Sequence, residues 1–92
     1  MKQGYLICYD IKDEKRLTKV YKYLSGIAIH IQYSVFYYGF DYYDLIQLKE
    51  NLRRLINEKE DDVRIYPLSS NPKVLVMGQG KKLPEALEVY LK

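Results

Sequence analysis

"YLICYDIKDEKR", residues 5–16, turns from an apolar run into a charged one, and its reading decides the fold. Residues 5–9, "YLICY", are almost continuously apolar, as in a strand that lies centrally or is covered on both faces. Asp10 closes the run, so a carboxylate stands at the tip of a rigid element. Asp13 has a side chain suited to accept the free amides of a first helical turn. Leu17, Val20, Tyr21 and Leu24 then follow at i, i+3, i+4 and i+7, one apolar stripe of a helix. A strand over 3–10 and a helix from Asp13 to about Leu24 are expected. Ser25-Gly26 is read as the stop, because glycine takes a left-handed cap without steric penalty.

Working outward, residues 27–40, "IAIHIQYSVFYYGF", are β-branched and aromatic and therefore extended. They form either one long strand or two short ones meeting at a bend or bulge near Tyr33-Ser34, since no Asn-Gly or Asp-Gly marks a hairpin turn. Leu45, Leu48, Leu52, Leu55 and Ile56 keep a helical period while Lys49, Glu50, Arg53, Arg54 and Asn57 take the other side. Asp41 is placed as the cap of that helix and Asp44 in its first turn, where a carboxylate complements the dipole. Residues 63–68, "VRIYPL", read as a strand with Pro67 at an edge or end. "SSNP" (69–72) is a turn, "KVLVM" (73–77) a further strand, and "GQG" (78–80) its stop. "KKLPEALEVYLK" (81–92) has no clear period.

Two helices that each expose one apolar stripe need a common sheet to cover them. The order βα, one or two strands, αβ fits an α+β sandwich with both helices on one face, a ferredoxin-like βαββαβ plan. Its uncovered sheet face would carry tyrosines and aliphatics, which predicts a homodimer joined through the sheets.

Composition sets limits. A chain of 92 residues that is 48% hydrophobic makes one domain with one core. The net charge of +3 permits contact with a polyanion without demanding it. Cys8 is the only cysteine, which excludes an internal disulfide and a cysteine metal knuckle; it reads as a buried, inert thiol. A reducing, cytoplasmic setting is expected, with no signal peptide and no membrane span. His30, the only histidine, lies in an apolar strand and reads as structural, and Ser34 has no evident base. "GQG" lacks the partners of a phosphate loop.

Asp10 is the candidate catalytic and metal-binding residue. Its bland alternative is that it terminates the strand and satisfies loop amides. One carboxylate per chain is thin equipment for magnesium, whose octahedral shell takes oxygen ligands and keeps several waters. A two-fold dimer would supply two copies of Asp10 that can bracket one ion. Lys12, Lys15, Arg16, Lys19 and Lys22 cluster on and before the first helix and suggest a grip on a phosphate backbone, against the commoner reading of a solvated helix face. Exposed tyrosines can stack on bases, although core or interface burial is their usual use.

Three stretches together, "YLICYDI" (5–11), "IQYSVFYY" (31–38) and "EDDVRIYPL" (60–68), resemble the small CRISPR-associated protein of the second Cas family, over essentially the whole chain. The resemblance implies a ferredoxin-like fold with an added C-terminal strand and an obligate homodimer, with "LEVYL" in the swapped segment 83–92. It implies a magnesium-dependent endonuclease acting on single-stranded RNA in some members and on double-stranded DNA in others, with Asp10 as catalytic residue and Mg2+ ligand. It also implies a partnership with the integrase of the CRISPR adaptation module, bridging integrase dimers and holding duplex DNA. Lys12, Lys15, Arg16 and Lys19 would then contact nucleic acid, and Tyr9 and Phe36 would support the dimer around Asp10. The chain departs from relatives in two places: Leu17 stands where a second basic residue often follows Arg16, and His30 stands where arginine is common. A non-catalytic DNA-holding scaffold is the alternative function, and a toxin-like ribonuclease of the same fold a weaker one.

Overall fold

The computed structural model describes residues 3–40, 42–69 and 77–78. In chain order these form β1 (Gln3–Asp10), α1 (Glu14–Ile27), β2 (Ile29–Gln32), β3 (Val35–Phe40), α2 (Tyr42–Leu55) and β4 (Asp62–Pro67). The four strands make one antiparallel sheet in the order β2-β3-β1-β4, with β1 central. This is the α+β ferredoxin-like arrangement that the apolar periodicities require.

Alternation along β1 explains how the sheet is covered. Tyr5, Ile7 and Tyr9 are buried, and with Ile11 they join Val20 and Leu24 of α1, Phe36 and Tyr38 of β3, and Leu48 and Leu52 of α2 in one core. Successive side chains in a strand point to opposite faces, so Leu6, Cys8 and Asp10 lie on the face away from the helices. Cys8 is accordingly half-buried on that open face, a correction to its reading as a core thiol. The open face carries an apolar row across all four strands, because Ile29 pairs with Tyr37, Tyr37 with Leu6, and Leu6 with Tyr66. The Tyr37 ring lies over paired Gly4 and Gly39; a Cβ on Gly4 would meet the Tyr37 hydroxyl at 2.9 Å.

One boundary differs from expectation and one open alternative is resolved. α1 does not stop at Ser25-Gly26 but continues to Ile27, where Ala28 is extended and donates its N–H to the Leu24 carbonyl at 2.8 Å. Ile27 packs against the core, and that burial outweighs the low helix propensity of Gly26. Of the two alternatives left open for residues 27–40, the structure shows two strands joined at Tyr33-Ser34, with a register shift between His30 and Gln32. The Asp41 cap, the strand over 73–77 except Met77, and the C-terminal segment 83–92 lie outside the described residues.

Candidate functional site

Four segments meet at the end of the sheet where β1 terminates. Asp10 ends β1. Asp13, with its side chain accepting the Arg16 amide at 3.0 Å, opens α1. The Ser34 carbonyl accepts the Tyr9 amide at 3.1 Å, which ties the β2–β3 turn to the same end. On the other side Asp62, the first residue of β4, pairs directly with Asp10.

The Asp10 carboxylate is exposed, and among the described residues it pairs with the Lys12 ammonium at 3.1 Å. Asp62 is likewise exposed and paired to Arg64 at 3.0 Å. The two acids thus face each other across the strand pair, each with one cation beside it. Both groups are hard oxygen donors of the kind magnesium takes, and magnesium commonly uses only one or two carboxylates beside waters and a phosphate. The donor set therefore fits magnesium chemistry, with Asp10 and Asp62 as the residues that would hold the ion. One chain offers no more than this, for no cluster of three or more His, Cys, Asp or Glu suited to a metal occurs among the described residues.

The basic residues separate into two groups. Lys15, Lys19 and Lys22 lie exposed along α1 with no ion pair among the described residues. Lys12 precedes the helix and is placed on Asp10. Arg16, unlike the α1 lysines, is engaged by acids of another loop. Its Nε donates to Asp61 Oδ2 at 2.8 Å and its Nη2 to Asp61 Oδ1 at 3.1 Å, with Glu60 Oε2 at 3.0 Å from the same Nη2. Arg53 is also engaged, by Glu50 and Glu58, and does not extend the lysine stripe.

Asp61 escaped notice in the sequence, where it is one acid in the run "EKEDD". Its side chain is fully buried and accepts four hydrogen bonds: two from Arg16, one from the Lys12 amide at 2.9 Å and one from the Asn57 amide at 2.8 Å. The hydrogen bonds from Arg16 hold its carboxyl well below the usual range; desolvation opposes this, while the Asn57 and Lys12 amides reinforce it. The same pairing raises the Arg16 guanidinium further. Asp61 thus clamps the loop after Asp10 to the α2–β4 loop and fixes where Asp10 and Lys12 stand.

Phe36 is fully buried. Its ring is stacked with Tyr9 at 6.2 Å between centroids and also meets Tyr21 and His30. Both Tyr9 and Phe36 face the helices, so any support they give to Asp10 passes through the core of one chain. His30 is exposed at one edge but packed, as expected of a structural residue: its ring sits 4.9 Å from Phe36 and 5.5 Å from Tyr21, and its Nε2 lies 2.8 Å from the Tyr33 carbonyl.

The fold and this end of the sheet define the class: a small α+β domain of ferredoxin-like topology, with acids at the tips of its central and edge strands and an exposed lysine row on the adjoining helix. Residues 3–74 match the family described as CRISPR associated protein Cas2. A relative from Thermodesulfovibrio yellowstonii, named CRISPR-associated endoribonuclease Cas2 2, is 47% identical over 90 residues, spanning 98% of this chain and 99% of its own length. A solved hypothetical protein from Thermus thermophilus superposes with a TM-score of 0.80 at 33% identity, covering 91% of this chain and all of its own. A chain of the partial Cas6-RT-Cas1--Cas2 complex gives a TM-score of 0.66 at 29% identity, covering 74% of this chain and 75% of its own. The chain belongs to the Cas2 family. No helix among the described residues is long and apolar enough to cross a membrane.

Proposed function

We propose that this protein works in CRISPR adaptation as a magnesium-dependent endonuclease whose phosphodiester site is the Asp10 end of the sheet. The observation that carries the reading is the cross-strand pair of exposed carboxylates, Asp10 and Asp62, set beside the α1 lysines. Magnesium, when bound, would supply Lewis-acid polarisation of a phosphoryl oxygen. The chain's own residues do the rest. Asp10 and Asp62 hold the ion; Lys15 and Lys19 place the sugar-phosphate strand across the end of the sheet; Asp61 and Arg16 keep the Asp10 loop from shifting.

The apolar row Ile29–Tyr37–Leu6–Tyr66 supports pairing of two chains through their open faces. Asp10 lies on that same face, so the pairing would bring a second Asp10 toward the first and complete the donor set from two copies. The name of the Thermodesulfovibrio relative supports nuclease activity, and the Cas1–Cas2 complex among the matches supports association with the adaptation integrase.

A scaffold reading is favoured by one observation: Lys12 already neutralises Asp10. In that case the lysines hold duplex DNA for the integrase and Asp10 performs no chemistry. Cleavage of single-stranded RNA and of duplex DNA by the purified protein, with magnesium and with chelator, separates the two. The nuclease reading expects cleavage in magnesium that is lost in Asp10→Ala at unchanged melting temperature. Full activity in Asp10→Ala removes the metal role from Asp10.

A further inference from the structure

Lys12 answers to two different acids with its two ends. Its backbone amide donates to the buried Asp61 carboxylate at 2.9 Å, which pins the main chain of the loop after β1. From that fixed point the side chain reaches back, and its ammonium stands 3.1 Å from Asp10 Oδ2. Both side chains of this pair are well exposed, Lys12 at 61% and Asp10 at 68%. Asp62 also has a cation two residues on, but Arg64 belongs to β4 itself, and Tyr66 as well as Asp62 engages its guanidinium. Lys12 is the cap that can leave.

An exposed ion pair of this kind is held weakly, shifting its own equilibrium by about fivefold at most. A lysine ammonium is a compact charge on a flexible four-carbon stem, so it can turn to another anion while its backbone stays put. When a divalent ion takes the Asp10 carboxylate, the ammonium loses its partner and like charge drives it off. The other acids of this end are already engaged: Asp13 by the Arg16 amide, Asp61 by the Arg16 guanidinium, and Asp62 by Arg64. A phosphate lying along the exposed lysines of α1 is the anion that remains.

We propose that Lys12 is an exchangeable counter-ion, which neutralises Asp10 in the ion-free protein and passes to a nucleic-acid phosphate when a divalent ion takes that carboxylate. Ion binding and grip on the phosphate are then coupled through one side chain, and the coupling runs in both directions. The inference rests on the phosphodiester-site reading above and deepens it, by naming the residue that links the site's two ligands. The Lys12–Asp10 pair becomes the resting state of that site.

The test uses the full chain with manganese alone and, separately, with a blunt DNA duplex in chelator, where no strand is cut. Lys12→Met should bind manganese about three- to tenfold more tightly than wild type, since the cation beside the carboxylate is gone. Lys15→Met, an equal change of charge on α1, should alter manganese affinity less than about twofold because solvent and salt screen it. In chelator, Asp10→Asn stands in for the neutralised carboxylate and should bind the duplex more tightly than wild type. Lys12→Met should then weaken duplex binding about two- to fivefold in the Asp10→Asn background and hardly at all in the wild-type background, as a double-mutant cycle reports for a coupled pair. These changes fall on exposed side chains, and the Asp61 bond uses the Lys12 amide, so melting temperatures should stay within ~2 °C of wild type.

Equal tightening of manganese by Lys12→Met and Lys15→Met, or tightening by neither, would overturn the exchange. So would an equal effect of Lys12→Met on duplex binding in both backgrounds, whether a loss or none, for Lys12 would then ignore the charge on Asp10. In those cases wild type still binds manganese through Asp10 and duplex through the lysines, and the phosphodiester site stands. If wild type binds no manganese that Asp10→Asn loses, or binds no duplex, the exchange falls together with the reading beneath it.

Discussion

The Arg16 guanidinium grips the Asp61 carboxylate through two hydrogen bonds, at 2.8 and 3.1 Å, across 45 residues of sequence. The acid is wholly buried and the base a quarter exposed. The pair joins the first helix to the entry of β4, and with the Lys12 amide it holds the loop on which Asp10 depends. A buried carboxylate with its partners removed is strongly destabilising, so Arg16 is needed by the fold before any nucleic acid arrives.

Arg16→Ala is therefore expected to lower the melting temperature by on the order of 10 °C in a domain of this size. Lys15→Ala should leave it within ~2 °C, as for an exposed residue away from such features. Thermal denaturation of both variants checks this. A stable Arg16→Ala would mean the clamp contributes nothing.

The same clamp sets an acid limit. The Asp61 carboxyl is depressed in the folded chain, chiefly by the hydrogen bonds from Arg16. Its stabilising contribution is complete above the ordinary carboxylate range and is lost as pH falls below about 4, toward the folded value. Wild type should consequently lose more of its melting temperature between pH 5 and pH 3 than Asp61→Asn does, although Asp61→Asn starts lower. Parallel pH profiles for the two would contradict the assignment.

Much of this was legible from the chain and some was not, for physical reasons. Leu45, Leu48 and Leu52 announce α2 by period alone, and "YLICYD" announces β1, because burial imposes its spacing locally. Asp61 and Asp62 gain their meaning from partners 45 and more residues away, through a strand register that no local pattern encodes. Arg16 read as one more member of the basic cluster for the same reason. The end of α1 was missed because the burial of Ile27 overrode Gly26.

Lys15 and Lys19 are expected to grip the polyanion. Lys15→Glu with Lys19→Glu should weaken duplex binding and flatten its dependence on salt by roughly 0.9 in slope for each phosphate that is no longer neutralised. Anisotropy titrations across a salt series measure this. An unchanged slope would place the phosphate-binding cations elsewhere.

Phe36 tests core against interface. With its ring fully buried, Phe36→Ala should destabilise the chain by about 3–5 kcal/mol. Leu6→Glu, on the open face, should leave folding intact and halve the solution mass from twice the 11.0 kDa chain to one chain. Urea denaturation reads the first and sedimentation equilibrium the second. A Leu6→Glu protein that remains dimeric would move the interface off this face.

The most direct test of Asp10 as the holder of a divalent ion is titration of manganese, a spectroscopically visible substitute for magnesium, into wild type and Asp10→Asn. The account predicts one ion for every two chains in wild type, and loss of that ion in Asp10→Asn with the melting temperature and dimer mass unchanged. Binding of the same ion with the same affinity by Asp10→Asn would contradict it.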